Sequence, residues 1–209
     1  MSGHLKVTGI RPLEKLTYLK GFEIEYLNKK GKTKVWELIS RQGLNRLEDE
    51  VFRGKVYSDG AMIFATNYER THVVMLREFR VSAGRHVYML PAGLSDGDEG
   101  IEATSVREFK EETGMAFEYV AKAPPRYASV GIVNERVEIA FGYYSGTPST
   151  LFQSEDEEAE VVLVDRNMAM HILENEDVAI RSALLIEHFF NLNPFINVIK
   201  TEKGVCQSE

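Results

Sequence analysis

The chain has 209 residues, of which 44% are hydrophobic and 27% charged, and its formal net charge is −7. This length suffices for one full hydrophobic core and a small accessory region, and the acidic balance argues against a protein that binds nucleic acid through a basic face. No apolar run approaches the ~18 residues of a membrane span, and the first residues lack the apolar core of a secretory signal. Cys206 is the single cysteine, which indicates a reducing compartment, so we expect a cytoplasmic protein that binds neither nucleic acid nor membranes.

An antiparallel β region is predicted over residues 1–57. Apolar and polar residues alternate on both sides of residues 28–32, which is the pattern of a hairpin. A hairpin alone is marginally stable, so we expect it to pack on the rest of the chain or on a second copy. Trp36, the only tryptophan, lies in the second predicted strand. It is either a half-buried strand aromatic or a flat surface on which a nucleobase stacks.

A second set of strands is predicted from Lys55 onward. Residues 71–76 are almost continuously apolar, as in a central strand, and Arg77 and Arg80 follow at the end of this strand. Arginines in such a position can hold phosphates through bidentate hydrogen bonds. The alternative for both is an ordinary surface ion pair.

The segment 93–115 concentrates acidic residues, begins with Gly93 and has Gly114 next to its end. A helix is predicted from Ile101 to Thr113, ended by Gly114 in the left-handed conformation. Val106, Phe109 and Thr113 are spaced i, i+3 and i+7, which predicts that they face inward.

Three glutamates of this predicted helix, Glu108, Glu111 and Glu112, are spaced i, i+3 and i+4, so their carboxylates emerge on one face. Like charges at this spacing repel one another, and a hard divalent cation such as Mg²⁺ resolves the conflict. The alternative is a solvated charged helix face, which is what most charge runs are.

Downstream of this segment the pattern predicts strands and then helices, with an acidic loop at residues 151–158. The predicted strands are 117–123, 137–144 and 159–164, the predicted helices are 167–173 and 177–190, and residues 196–209 are expected to be a disordered tail.

The spacing G-x5-E-x7-R-E-U-x-E-E-x-G-U, with U apolar, is matched from Gly93 to Met115 without departure. It resembles the Nudix box, the signature of the Nudix hydrolase superfamily. The resemblance implies an α+β fold, an α/β/α sandwich with a mixed sheet, in a Nudix domain at residues 58–195. It also implies Mg²⁺, or Mn²⁺ in its place, as the cofactor. The box residues are Gly93, Glu99, Arg107, Glu108, Glu111, Glu112 and Gly114, and the implied metal ligands are Glu108, Glu111, Glu112 and the carbonyl of Ala92.

Three further segments resemble the ADP-ribose pyrophosphatases and related nucleoside-diphosphate-sugar hydrolases: residues 78–80, 91–93 and 129–135. Two positions depart from that branch, because Glu78 replaces a glutamine and Val130 replaces a proline. The resemblance implies a homodimer paired through the N-terminal strands. It also implies a substrate site in which Trp36 stacks on the base and Glu37 and Arg41 fix its edge.

The implied reaction is hydrolysis of a pyrophosphate bond by a metal-bound water, with ADP-ribose cleaved to AMP and ribose 5-phosphate. Glu157 is the predicted general base, with Glu158 and Glu135 as rivals. Two alternatives remain, GDP-mannose as the substrate and a sensor that binds a nucleotide without cleaving it. The resemblance further implies that Arg107 and Glu111 act at the catalytic centre. It also implies that Arg80 binds a phosphate and that Glu135 contacts the substrate.

Overall fold

The computed structural model of the protein describes residues 6–12, 16–153 and 157–192. The predicted tail, 196–209, and residues 154–156 of the acidic loop lie outside the described residues. The described residues fall into two compact units, one within Met1–Ala61 and Ala123–Glu138, the other within Met62–Lys122 and Ile139–Glu209. The chain is a mixed α+β protein, as predicted, with a separate antiparallel sheet at its start.

The first unit contains a three-stranded antiparallel sheet in the order β1-β2-β3 and one helix. The predicted hairpin is confirmed as β2 and β3, and its turn is held by the Asn28 side chain, which accepts hydrogen bonds from two backbone N–H groups. Phe22, Leu38 and Leu47 form the core of this unit. The elements are β1 (Lys6–Pro12), β2 (Lys20–Leu27), β3 (Thr33–Ser40) and α1 (Leu44–Arg53).

Helix α1 differs from the prediction, in which residues 1–57 contain strands and no helix. Leu44, Leu47 and Val51 have helical spacing, and polar or charged residues fill the positions between them. This spacing is a signal for a helix that the strand prediction does not use.

The second set of strands forms a seven-stranded sheet in the order β10-β5-β4-β9-β8, with β6 paired to β5 and β7 paired to β4. Strands β4, β6 and β10 all run antiparallel to β5. The elements are β4 (Gly60–Thr66), β5 (Val73–Arg80), β6 (Arg85–Met89), β7 (Ala92–Leu94), α2 (Ile101–Thr113), β8 (Ala116–Tyr127), β9 (Arg136–Ser145), β10 (Ala159–Val164), α3 (Arg166–Asn175) and α4 (Ile180–Phe189).

The main core lies where α3 and α4 pack on the apolar strands β4 and β5, with Met75, Ile172 and Ile186 among its fully buried residues. Helix α4 begins at Ile180, three residues later than predicted. Residues 177–179 are extended instead and pair with Tyr88, which donates its backbone N–H to Asp177 and accepts from Ala179. None of the helices in the described part of the chain is long and apolar enough to cross a membrane.

Candidate active site

Helix α2 has the predicted bounds, and Gly114 ends it with φ at 71°. The predicted inward face is confirmed for Phe109 and Thr113, which are fully buried, and wrong for Val106, which is 40% exposed. Thr104 and Ser105 are fully buried as well. Small hydroxyl side chains can be buried here because each donates a hydrogen bond to a nearby group, Ser105 for example to the carbonyl of Glu102. The helix therefore packs closely on the sheet and leaves its glutamates on another face.

Arg107 ties the loop before α2 to the helix. Its guanidinium donates two hydrogen bonds to Glu99, at 3.1 and 2.8 Å, and one to the carbonyl of Leu94 at 3.1 Å. The remaining nitrogen donates to Glu108 at 2.8 Å and to Glu111 at 3.2 Å. The pairing with Arg107 lowers the pKa of Glu99 to about 2, so this guanidinium keeps Glu99 ionised while it contacts the other two carboxylates.

Gly93 lies directly against the carboxyl group of Glu108. A Cβ added at Gly93 would lie 1.9 Å from the carboxyl carbon of Glu108, far inside van der Waals contact. The side chain of Glu108 is only 15% exposed, and burial raises its pKa. Glycine at this position is therefore a condition for the placement of Glu108.

Glu112 is a partly buried glutamate of the helix that contacts the start of β7. Its carboxylate accepts a hydrogen bond from the backbone N–H of Ala92 at 3.0 Å. Desolvation by burial raises its pKa well above the ordinary value, and the nearby charges of Glu108, Glu78 and Glu157 raise it further. A cation placed among these carboxylates would relieve both effects.

The pairing of β10 with β5 brings Glu157 and Glu158, the end of the acidic loop, close to α2. Ala159 lies opposite Glu78 in the register, and Phe79 donates its backbone N–H to the carbonyl of Glu158 at 2.9 Å. A small cavity opens at this point, lined by Leu76, Glu78, Glu112, Gln153, Glu157 and Ala159.

The two candidate bases of the acidic loop have different surroundings. Both residues are exposed, but Glu157 borders the cavity beside Glu112, whereas the Glu158 carboxylate lies 3.2 Å from the ring nitrogen of His86. Arg80, which is predicted to bind a phosphate of the substrate, donates a hydrogen bond to the Glu78 carboxylate at 2.7 Å. Glu157 is thus the candidate base that the structure brings to the box glutamates.

The predicted substrate-binding residues Trp36, Glu37, Arg41 and Glu135 all belong to the first unit. Arg41 donates to the Glu135 carboxylate at 2.8 Å across 94 residues of sequence. Trp36 is 50% exposed on β3, and Glu37 lies next to it on an exposed stretch of the strand.

Sequence reasoning missed Glu78 and Gln153 as site residues. In the sequence Glu78 is marked only as a departure from the resembled pattern, and the structure places it in the cavity with Glu112 and Glu157. Gln153 donates its side-chain amide to the backbone carbonyl of Glu112 at 2.9 Å. The acid at position 78 was the one available signal, since a glutamate in place of a glutamine adds charge to the site.

The donor set fits a hard divalent cation in chemistry, because it consists of carboxylates and a backbone carbonyl. In the described ranges no three acidic or histidine side chains already surround one point closely enough to hold an ion. Glu108 and Glu111 instead point their carboxylates at Arg107. The residues therefore fit the cation in chemical type.

Comparison with known proteins identifies the family. The NUDIX domain model matches residues 56–189. An uncharacterized Nudix hydrolase of Schizosaccharomyces pombe is 29% identical over 127 residues, which are 60% of this chain and 57% of that protein. The ADP-ribose pyrophosphatase of Bacillus subtilis is 28% identical over 123 residues, 57% of this chain and 65% of that one. The chain thus spans less than two thirds of the length of both proteins.

Two further similarities cover more of the chain. The GDP-mannose pyrophosphatase of an Enterobacter species is 30% identical over 163 residues, 72% of this chain and 84% of that one. A crystal structure of an ADP compounds hydrolase superposes with a TM-score of 0.65 and covers 88% of this chain and 92% of that one, at 18% identity. That structure confirms the fold. With a family model that matches most of the chain, a complete box and this fold, the chain belongs to the Nudix hydrolase family.

Proposed function

We propose that this protein hydrolyses the pyrophosphate bond of a nucleoside diphosphate sugar in the presence of a divalent cation, with ADP-ribose cleaved to AMP and ribose 5-phosphate. The observation that carries the proposal is the small cavity at α2 that Glu78, Glu112 and Glu157 border together, with Glu108 close enough to Glu112 for its charge to raise the Glu112 pKa. Like charges gathered around a partly buried carboxylate are costly unless a cation is bound among them, and hydrolysis of a pyrophosphate bond uses a divalent cation to neutralise the phosphoryl oxygens.

The cation would be held by Glu108, Glu112, Glu111 and the carbonyl of Ala92. We propose Mg²⁺, with Mn²⁺ able to replace it. When bound, it neutralises charge on the phosphoryl oxygens and lowers the pKa of a bound water.

The chain itself supplies positioning and proton transfer. We assign Glu157 as the general base, which accepts a proton from the attacking water at its carboxylate, because it borders the cavity beside Glu112. Arg107 holds Glu99, Glu108 and Glu111 in place. Arg80 would exchange its contact with Glu78 for a phosphate oxygen, since a guanidinium binds either anion in the same geometry.

Substrate recognition is assigned to the N-terminal region, 1–57, with the Nudix domain at 58–195. We propose that Trp36 stacks on the base, which suits its half-exposed ring, and that Glu37, Arg41 and Glu135 bind polar groups of the substrate. We further propose that the protein is cytoplasmic and acts as a homodimer paired through its N-terminal strands.

GDP-mannose is the second candidate substrate. It is favoured by the Enterobacter GDP-mannose pyrophosphatase, which is similar over 72% of this chain, more than the 57% covered by the B. subtilis ADP-ribose pyrophosphatase. The chemistry at α2 would be the same for both. The base and sugar contacts would differ.

The test is phosphomonoester release from ADP-ribose, GDP-mannose and NADH, each with Mg²⁺, with EDTA and with the Glu112→Gln variant. We expect Mg²⁺-dependent cleavage of ADP-ribose to AMP, lost in EDTA and in the variant. Preference for GDP-mannose would transfer the proposal to that substrate. Binding without turnover of any compound would replace it with a nucleotide sensor.

A further inference from the structure

Four charged or polar side chains of the first unit form a cluster under the segment 129–136. We call this set the α1 cluster: Arg46, Glu50, Asp59 and Asn134. Arg46 and Glu50 lie on α1, Asp59 precedes β4, and Asn134 lies in the segment itself. The side chains of Glu50 and Asp59 are only 5% and 6% exposed, so this is not a solvated surface network.

The α1 cluster is joined to the segment at two places, while Arg46 links Glu50 to Asp59 and lies 4.3 Å over the ring of Tyr57. Asn134 donates its side-chain amide to Glu50 at 2.7 Å, and the other Glu50 oxygen accepts from Arg46 at 3.0 Å. Arg46 donates onward to Asp59 at 2.8 Å. Asp59 in turn accepts from the backbone N–H of Arg136 at 2.9 Å and donates its own backbone N–H to the Arg136 carbonyl at 2.8 Å.

The α1 cluster therefore grips the chain immediately before and immediately after Glu135. The Glu135 carboxylate itself accepts a hydrogen bond from Arg41 at 2.8 Å. The backbone of the segment is also bound to β3, because Ile39 donates its N–H to the Ile132 carbonyl at 2.9 Å. The side chains of the Arg41–Glu135 pair are 45% and 21% exposed, so solvent reaches this pair more than it reaches Glu50 and Asp59.

We propose that Glu50 and Asn134 are positioning residues for substrate binding, which fix the Arg41–Glu135 pair in the geometry that receives the nucleotide. This rests on the proposed function, in which Arg41 and Glu135 touch the substrate. Buried, fully bonded polar networks hold one geometry, and truncating one member leaves its partner unsatisfied. The Glu50–Asn134 hydrogen bond thus acts on affinity through the segment that it holds.

The experiment compares Asn134→Ala and Glu50→Gln with wild type in steady-state hydrolysis with Mg²⁺, and in titration calorimetry of ADP-ribose and GDP-mannose in EDTA. Glu48→Gln is the matched control, since two residues along a helix turn the side chain about 200° away. We expect KM and Kd to rise roughly tenfold in Asn134→Ala, as for the loss of one hydrogen bond to a charged group. We expect kcat within about twofold of wild type, since the groups at α2 that act on the reacting atoms are unchanged.

A merely structural role predicts the reverse, a smaller folded fraction that lowers apparent kcat and leaves KM unchanged. The double variant Glu50→Gln with Asn134→Asp reverses the direction of the hydrogen bond and is expected to restore KM to within about threefold of wild type, because the pair keeps one charged acceptor. If Glu50→Gln alone fails to fold, the double variant tests the role of Glu50 in its place. Unchanged KM and Kd in Asn134→Ala, or no recovery in the double variant, would overturn the inference and leave the hydrolase intact. Wild-type protein that neither binds nor cleaves either nucleotide would overturn both.

Discussion

Gly93 and Glu108 are in direct contact, and the contact exists only because position 93 has no side chain. A Cβ there would lie 1.9 Å from the Glu108 carboxyl carbon and 2.0 Å from one of its oxygens. The glycine that opens the box and the first glutamate of its helix motif are therefore one structural unit, although they are far apart in the sequence. The spacing of the box therefore reflects the packing of Gly93 against Glu108 as well as the placement of charged side chains.

Gly93→Ala tests this relationship. We expect the added methyl to displace the Glu108 carboxylate by about 1 Å or more and to lower kcat/KM on the active substrate roughly 100-fold. Circular dichroism and thermal unfolding will report whether the fold is kept. Gly100→Ala is the matched control, since Gly100 has φ −81° and a Cβ added there would meet no other atom within 4 Å. Equal activity of the two variants would contradict the assigned role of Glu108.

Arg107→Lys tests whether one guanidinium organises the site. Lysine has a point charge and cannot donate to Glu99, Glu108 and Glu111 together. We expect kcat to fall about 10- to 100-fold with KM nearly unchanged, because the loss lies in preorganisation of the carboxylates. NMR titration should show the pKa of Glu99 rising from about 2 towards its ordinary value.

The control for Arg107→Lys is Arg126→Lys, the same exchange at an exposed arginine of β8. A variant at position 107 with full kcat would show that the metal alone orders the glutamates.

The sequence predicts local features of this site well. The bounds of α2 and the left-handed Gly114 follow from helix spacing and capping, which depend on neighbouring residues. The meeting of Glu78 with Glu157 does not follow, because it depends on the register of β10 on β5, two strands that are distant in sequence. The Arg41–Glu135 contact is likewise long-range. On α2, Phe109 and Thr113 are buried as predicted and Val106 is not. Thr104 and Ser105 are buried in addition, because their hydroxyl groups form hydrogen bonds to nearby groups, which a hydropathy pattern does not register.

Asp49→Asn tests the pH dependence of stability in the first unit. Asp49 accepts hydrogen bonds from Lys55 at 2.7 Å, from Tyr57 at 2.9 Å and from Arg53. These contacts hold the pKa of Asp49 well below its usual range, and the hydrogen bond from Lys55 has the largest effect. A depressed pKa stabilises the folded state above the unfolded pKa of about 3.9, and this contribution is lost as pH falls through the folded value.

We therefore expect Asp49→Asn to lower the free energy of unfolding at pH 7 and pH 5, with a difference from wild type that shrinks below about pH 4. Urea unfolding at three pH values measures it. Glu48→Gln, the same neutralisation on the adjacent residue, should show a smaller difference at every pH. A constant difference across the range would mean that the charge of Asp49 does not contribute.

Glu112→Gln separates stability from catalysis. In EDTA, wild-type protein bears the cost of a desolvated Glu112 carboxylate close to Glu108, Glu78 and Glu157, whereas the glutamine is neutral and can still accept from Ala92 N–H through its carbonyl. We expect the variant to have a higher Tm than wild type in EDTA at pH 8, by a few degrees for about 1 kcal/mol. Added Mg²⁺ should raise the Tm of wild type and change that of the variant much less, because binding to the native state alone is stabilising. Hydrolysis should be lost in the variant under both conditions. A Tm that falls in EDTA would mean that Glu112 stabilises the metal-free fold, and the carboxylate convergence would then be structural instead of a cation site.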